Sequence, residues 1–254
     1  YWFPFSDLVA KTVLDFDPEH VILLPLYPQF SSTTTASSVA DWRRAAQEAG
    51  LTVPEKTICC YPDDTGFISA KTNLIAPLLE VAKEAGPVRL LLSAHGLPKK
   101  VIDRGDPYQW QVEKTCEAVV AALADKGFSG LDWQVCYQSR VGPLEWIGPA
   151  TEDAIIAAGR GGKGVVLAPI AFVSEHSETL VELDIDYREL AKKHGIFHYA
   201  RVPTVGTNKE FIEGLATIVR NALRKGDRLA RCGVGDGARC CPRQFSVCGH
   251  ETAP

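Results

Sequence analysis

Apolar and polar positions along the chain follow two periods. Val21–Tyr27 (VILLPLY, broken by Pro25), Val88–Ala94 (VRLLLSA) and the run from Gly164 to Pro169 are short, dense apolar stretches, the pattern of strands buried on both faces, and Lys56–Tyr61 and Asp132–Gln138 read as further short strands. His198–Val202 reads as a last short strand. Between them, helical spacing predicts helices over Asp7–Phe16, Val39–Ala49, Phe67–Ala85 with an interruption near Pro77, Tyr108–Asp125, Thr151–Ala158 and Glu210–Arg224. Strand and helix therefore alternate, which predicts parallel sheets covered on both faces. The strands are too many for one small unit, so two α/β domains are expected.

The pattern changes abruptly after Pro169. Ser174 predicts a helix start, with Glu175, His176 and Glu178 gathered at the positive end of the helix dipole. Glu178, Glu182 and Asp186 then follow at i, i+4 and i+8, which places three carboxylates on one helical face. Two readings stand side by side: a solvated acidic face, or a ladder of oxygen ligands and proton acceptors leading to a cation, with His176 beside it. Other candidate chemistry lies where strands end. His95 closes the strand Val88–Ala94 ahead of Gly96 and Pro98, a place suited to catalysis. The hydroxyl-rich loop Pro28–Ser38 follows the first strand at the carboxyl edge of a parallel sheet, where ligands bind in such folds; its plain alternative is a helix cap with spare serines. Trp146, in the loop Ser139–Pro149, either covers the core or forms an apolar wall for a flat ligand.

Composition narrows the classes. At 254 residues with a net charge of −4, the chain is large enough for a sizeable core and shows no basic excess for nucleic acid. It has no P-loop and no GxGxxG after a strand, and no apolar run near the roughly 20 residues that span a bilayer. It contains no Met and begins YWFPFSD without a basic leader, so a start further upstream is expected. Of eight cysteines, Cys59, Cys60, Cys116 and Cys136 are dispersed and read as small buried apolar residues. Cys232, Cys240, Cys241 and Cys248 crowd into a Gly-rich tail, where clustered thiols in a reducing compartment bind metal more often than they pair.

Several of these stretches carry a resemblance. SAHGLP (Ser93–Pro98), RGDPY (Arg104–Tyr108), QSRVGPLEWIGP (Gln138–Pro149), PIAFVSEHSETLVELDIDY (Pro169–Tyr187) and LYPQFSSTTTASS (Leu26–Ser38) resemble ferrochelatase, the enzyme that inserts ferrous iron into a porphyrin to make haem. The resemblance runs from Tyr1 to about Arg224 and implies two Rossmann-like, chelatase-like three-layer α/β/α domains with parallel sheets and the porphyrin in the cleft between them. It implies residues 1–85 as the later part of the first domain, 86–207 as the second, 208–225 as a C-terminal helix and 226–254 as the Cys-rich tail. A preceding part of the first domain is expected upstream, and the chain alone is expected to be inactive.

The family's roles fall on matching positions. His95 corresponds to the pocket histidine, as metal ligand or acceptor of pyrrole protons, and Glu178 to the carboxylate facing it. Glu182, His176 and Glu175 correspond to the polar path behind, and clustered carboxylates are expected to raise one another's pKa and so act as bases. Trp146, Phe172, Tyr1 and Ser32 are expected at the porphyrin. Animal members hold a [2Fe–2S] cluster on three tail cysteines and one from the hydroxyl-rich loop, where this chain has Ser32. Cys232, Cys240, Cys241 and Cys248 would then supply all four thiolates, with zinc or free thiols as alternatives. The implied substrates are protoporphyrin IX and ferrous iron, in a bacterial-type cytoplasmic enzyme; peripheral membrane contact and a homodimer stay open. The alternatives are a coproporphyrin or cobalt chelatase, or a non-catalytic porphyrin-binding or iron–sulfur module.

Overall fold

A computed structural model describes residues 3–224, 230–233 and 238–250. They form two compact units, and the chain passes between them more than once. The first unit comprises the residues up to Tyr61, Arg104–Tyr108 and those from Thr217 onward; the second comprises Pro62–Asp103 and Gln109–Ala216. Elements are numbered in chain order.

In the first unit, β1 (Val21–Leu23), β2 (Glu55–Cys60) and β7 (Ala230–Cys232) make a parallel sheet in the order β1-β2-β7, accompanied by the helices α1 (Ser6–Phe16) and α2 (Thr35–Glu48). The first strand ends at Leu23, ahead of Pro25, whose missing N–H breaks the ladder as the sequence predicts. The strand β7 was not anticipated from the glycine-rich tail. It pairs Ile58 with Arg231 and Cys60 with Cys232, leaving Cys59 as the extra residue of a bulge. Gly233 follows at close quarters: its N–H donates to the Cys60 carbonyl at 2.6 Å, and a Cβ there would lie 2.9 Å from Cβ of Tyr61. Gly235 and Gly237 lie outside the described residues. The hydroxyl-rich loop is pinned from below by Asp106 of the RGDPY motif. Asp106 is fully buried, and its Oδ2 accepts from the N–H and hydroxyl of Ser32 (2.7 and 2.6 Å) and from the hydroxyl of Ser31 (3.0 Å).

In the second unit, β3 (Val88–His95), β4 (Asp132–Gln138), β5 (Gly164–Pro169) and β6 (Tyr199–Arg201) are all parallel, in the order β4-β3-β5-β6. The core sits on the central pair, where Leu90, Leu91, Leu92, Val165, Val166, Leu167 and Ala168 are fully buried. Connections out of the first and third strands of this unit diverge, so a crevice opens at the carboxyl ends of β3 and β5, the switch point where such sheets bind ligands. The helix α3 (Thr65–Ala85), capped by Asp64 accepting from Phe67 N at 3.0 Å, belongs to this unit. It runs through Pro77 without the expected interruption. Ile75, Leu79 and Ala82 are fully buried on its inner side while Pro77 faces solvent, so tertiary packing outweighs the lost hydrogen bond. A short helix, α4 (Lys99–Asp103), follows His95, and α5 (Tyr108–Asp125) and α6 (Thr151–Arg160) lead into β4 and β5.

The acidic segment departs most from expectation. No helix begins at Ser174; Glu178–Asp186 instead forms a π-helix that passes into α7 (Tyr187–Lys193), with the Tyr187 N–H reaching back five residues to the Glu182 carbonyl. His176 supplies the start that Ser174 was expected to give. Its Nδ1 accepts from Glu178 N at 3.1 Å, while Thr179 Oγ1 accepts from His176 N and donates to His176 O, both at 3.0 Å. Among the described residues, α8 (Lys209–Arg224) is the last helix.

Candidate active site

The ends of β3, β4 and β5 bring together residues far apart in sequence. His95 Nδ1 lies 2.7 Å from Glu178 Oε2. Ser139, one residue beyond β4, stands beside both acidic residues: its Oγ is 3.0 Å from Glu178 Oε2 and 2.5 Å from Glu182 Oε2, and its N–H donates to Glu182 Oε1 at 2.8 Å. The Tyr187 hydroxyl donates to the same Oε1 at 3.0 Å. A cleft of about 750 Å³, ample for a cofactor-sized ligand, is lined by these groups together with Trp146, Glu152 and Asp186. A π-turn is wider than an α-turn, so a four-residue step falls just short of one turn and still keeps Glu178 and Glu182 on one serine.

Electrostatics revise one expectation. Burial of Glu178 opposes its charge, but the His95 hydrogen bond and charge, aided by Ser139 and His176, prevail and hold its carboxyl below the usual range. Glu178 is thus a settled carboxylate rather than a base raised by its acidic neighbours. The contact with that carboxylate fixes the orientation of the His95 ring at the end of β3. Burial and the nearby Glu182 push the Tyr187 phenol up, so it stays a neutral donor.

The remaining predicted residues divide. Trp146 lines the cleft. His176 packs its ring edge-on against Phe172, centroids 4.3 Å apart, and serves the π-helix start. Glu175 turns to Arg201 (2.7 Å) and Thr204 N (2.9 Å), so its charge is already compensated away from the cleft. Ser32 is engaged by Asp106. Tyr1 lies outside the described residues. Sequence reasoning missed Ser139, Glu152 and Tyr187 as partners; the Ser in QSRVGP, directly after a strand, was the available signal.

A second cluster forms in the first unit. Cys59 and Cys60 Sγ are 3.5 Å apart, each is 3.8 Å from Cys232 Sγ, and Cys60 is 3.8 Å from Cys240. Cys241 follows 3.9 Å from Cys240, and Cys248 is buried. Successive strand residues normally point to opposite faces, but the bulge at Cys59 turns this pair the same way. Cys59 and Cys60, expected to be isolated core residues, are therefore the centre of the cluster. The Sγ atoms of Cys59, Cys60 and Cys232 all lie within 4.8 Å of one another, a donor set for a thiophilic metal. The hydrogen bonds converge on Cys232, which the Cys240, Cys59 and Cys60 groups hold strongly toward thiolate while Cys59 and Cys60 are pushed up.

A parallel sheet whose switch point sets an imidazole against paired carboxylates in a cleft has the ligand-site placement of an α/β enzyme. The family model for ferrochelatase matches residues 1–223. A ferrochelatase of Caulobacter vibrioides is 51% identical over 240 residues, covering 94% of this chain and 67% of that protein. One of Pelagibacter ubique is 45% identical over 249 residues, covering 97% of this chain and 69% of that one. The chain thus spans about two thirds of the length of these relatives. SirB from Bacillus subtilis, solved with Fe3+, shares the fold at a TM-score of 0.58 and 13% identity, covering 87% of this chain and 78% of that one. The chain belongs to the ferrochelatase family. No helix among the described residues is long and apolar enough to cross a membrane.

Proposed function

We propose that this chain carries the insertion site of a protein that inserts Fe2+ into protoporphyrin IX and releases the two pyrrole protons, with His95 and Glu178 at the point of insertion. The observation that carries this reading is the 2.7 Å contact of His95 with Glu178 at the carboxyl ends of the sheet, with Glu182 behind it on Ser139. Fe2+ enters as a cation and two protons leave, so the site needs an anionic approach and a proton acceptor. Asp186, Glu182 and Glu178 supply oxygen donors along the cleft, and the His95 imidazole beside Glu178 is the group we assign to take up the pyrrole protons. Trp146 and Phe172 offer apolar faces to the macrocycle. Nitrogen and carboxylate donors follow the Irving–Williams trend, so Zn2+ and Co2+ are expected to be inserted as well. The test is loss of porphyrin fluorescence on metal insertion by the protein as its gene encodes it. His95→Ala is expected to lower kcat at least about 10²-fold. Near-normal turnover overturns the reading.

The thiol cluster supports a second element of the proposal, a [2Fe–2S] group held by cysteines of the first unit. Four-cysteine ligation of such a cluster fits a set in which Cys59 or Cys60 joins Cys232, Cys240 and Cys241 or Cys248, rather than the tail cysteines alone. Such a group would supply redox chemistry or a structural staple remote in sequence from His95. Anaerobically purified protein is expected to be coloured, with about two irons per chain. Cys232→Ser is expected to bleach it. Colourless protein with stoichiometric zinc would assign the same thiols to a structural zinc.

A further inference from the structure

Lys71 on α3 is fully buried, and the chemistry described so far does not use it. Its Nζ donates to two carbonyls where β5 ends, Pro169 O of the last strand residue at 2.5 Å and Phe172 O just beyond the strand at 3.0 Å, and lies 5.5 Å from the centroid of the Phe67 ring. We propose that Lys71 is a positioning residue of the insertion site: it fixes the turn Pro169–Phe172 and, through Phe172 and His176, the aim of Glu178 at His95. The inference rests on the proposed reading of that site.

The contacts form one continuous path. The Phe172 carbonyl is tied to Lys71, and the Phe172 ring meets the His176 ring at 4.3 Å. His176 Nδ1 accepts from Glu178 N at 3.1 Å, and Glu178 Oε2 sits 2.7 Å from His95 Nδ1. An apolar side chain at position 71 would leave two buried carbonyls without a donor, and such groups are rarely left unmatched. The turn would then be free to shift, and the residues that start the π-helix would shift with it. Burial pushes Lys71 down to about 7 against the pull of Glu175. The contact survives that titration, because a neutral amine still carries two N–H groups for two carbonyls. Glu175 itself is held by Arg201 and Thr204 N, so it does not compete for the amine. Orienting groups of this kind act by geometry, and misplacement of about 1 Å costs up to roughly 10²-fold in rate.

The test compares Lys71→Met, close in shape but without donors, and Lys71→Gln, which keeps an N–H pair, with wild type in the protein as its gene encodes it. Zn2+ insertion gives kcat and both KM values, and near-UV circular dichroism gives the folded fraction. Lys71→Met is expected to fold and to lower kcat per folded chain roughly 10- to 100-fold. Lys71→Gln is expected to recover part of the loss. If His95→Ala inactivates but folded Lys71→Met keeps kcat within about twofold of wild type, the positioning role is overturned while the site reading stands. If His95→Ala remains active, the site reading itself fails. Failure of both Lys71 variants to fold assigns the residue a purely structural role and overturns the proposal.

Discussion

The Ser139 N–H donates to Glu182 Oε1 at 2.8 Å from a left-handed backbone, φ 58°. A side chain other than glycine held there costs about 1–3 kcal/mol, and glycine would adopt it freely. A serine at this position therefore offers something glycine does not, a hydroxyl between Glu178 and Glu182. Ser139→Gly is expected to raise or preserve Tm while lowering kcat about tenfold, the scale of one hydrogen bond to a charged group. A glycine variant with full kcat would make the hydroxyl dispensable.

Glu178 and Glu182 share Ser139 but not His95. Glu178→Gln is expected to abolish insertion with porphyrin binding largely intact, because apolar contact holds the macrocycle. Glu182→Gln is expected mainly to raise KM for the metal. Porphyrin affinity measured by fluorescence titration would contradict this division if both changes lowered it equally.

Lys71 gives stability a pH dependence with a definite sign. Its folded pKa is about 7, below the ordinary lysine value, so between pH 7 and 10 the unfolded chain holds a proton that the folded chain lacks. Stability contributed at this position therefore rises with pH across that window and is lost again as pH falls toward 7. Wild type should gain up to about 1.4 kcal/mol per pH unit relative to Lys71→Met. Denaturant melts of both proteins at pH 7, 8 and 9 check it, and parallel curves would contradict a lowered lysine pKa at this position.

Pro77 sits inside α3 on its solvent side. Pro77→Ala is expected to stabilise the protein by about 1–3 kcal/mol, because it restores a helical N–H and removes the ring's clash with the preceding turn. A lowered Tm would show that α3 needs the proline's local geometry.

Much of this architecture was legible because buried parallel strands announce themselves. VRLLLSA and GVVLAP needed no tertiary information to be read, and His95 was placed at a strand end from pattern alone. The sequence motifs also singled out Glu178 and Glu182, and both line the cleft. Three features escaped for physical reasons. The π-helix depends on a side chain, His176, taking the place of a cap, and helical spacing rules assume α geometry. Glu175 looked like part of the acidic path because Arg201, its partner, is distant in sequence. Cys59 and Cys60 looked dispersed because a bulge, invisible to period-two reasoning, turns both toward Cys232.

That strand β7 pairs with β2 also has a consequence in time. Cys60 and Cys232 are separated by 172 positions, and the whole second unit lies in the chain between them. A ribosome adding roughly 5–20 residues per second leaves this side of β2, with its two thiols, waiting about 10–30 s for its partner strand. During that interval the nascent chain carries an open sheet edge and a pair of adjacent thiols not yet covered by their partner strand, a state open to wrong pairing and to thiol oxidation. Synthesis speed and the redox poise met by the nascent chain, more than the stability of the finished sheet, would then govern how much of the first unit matures correctly.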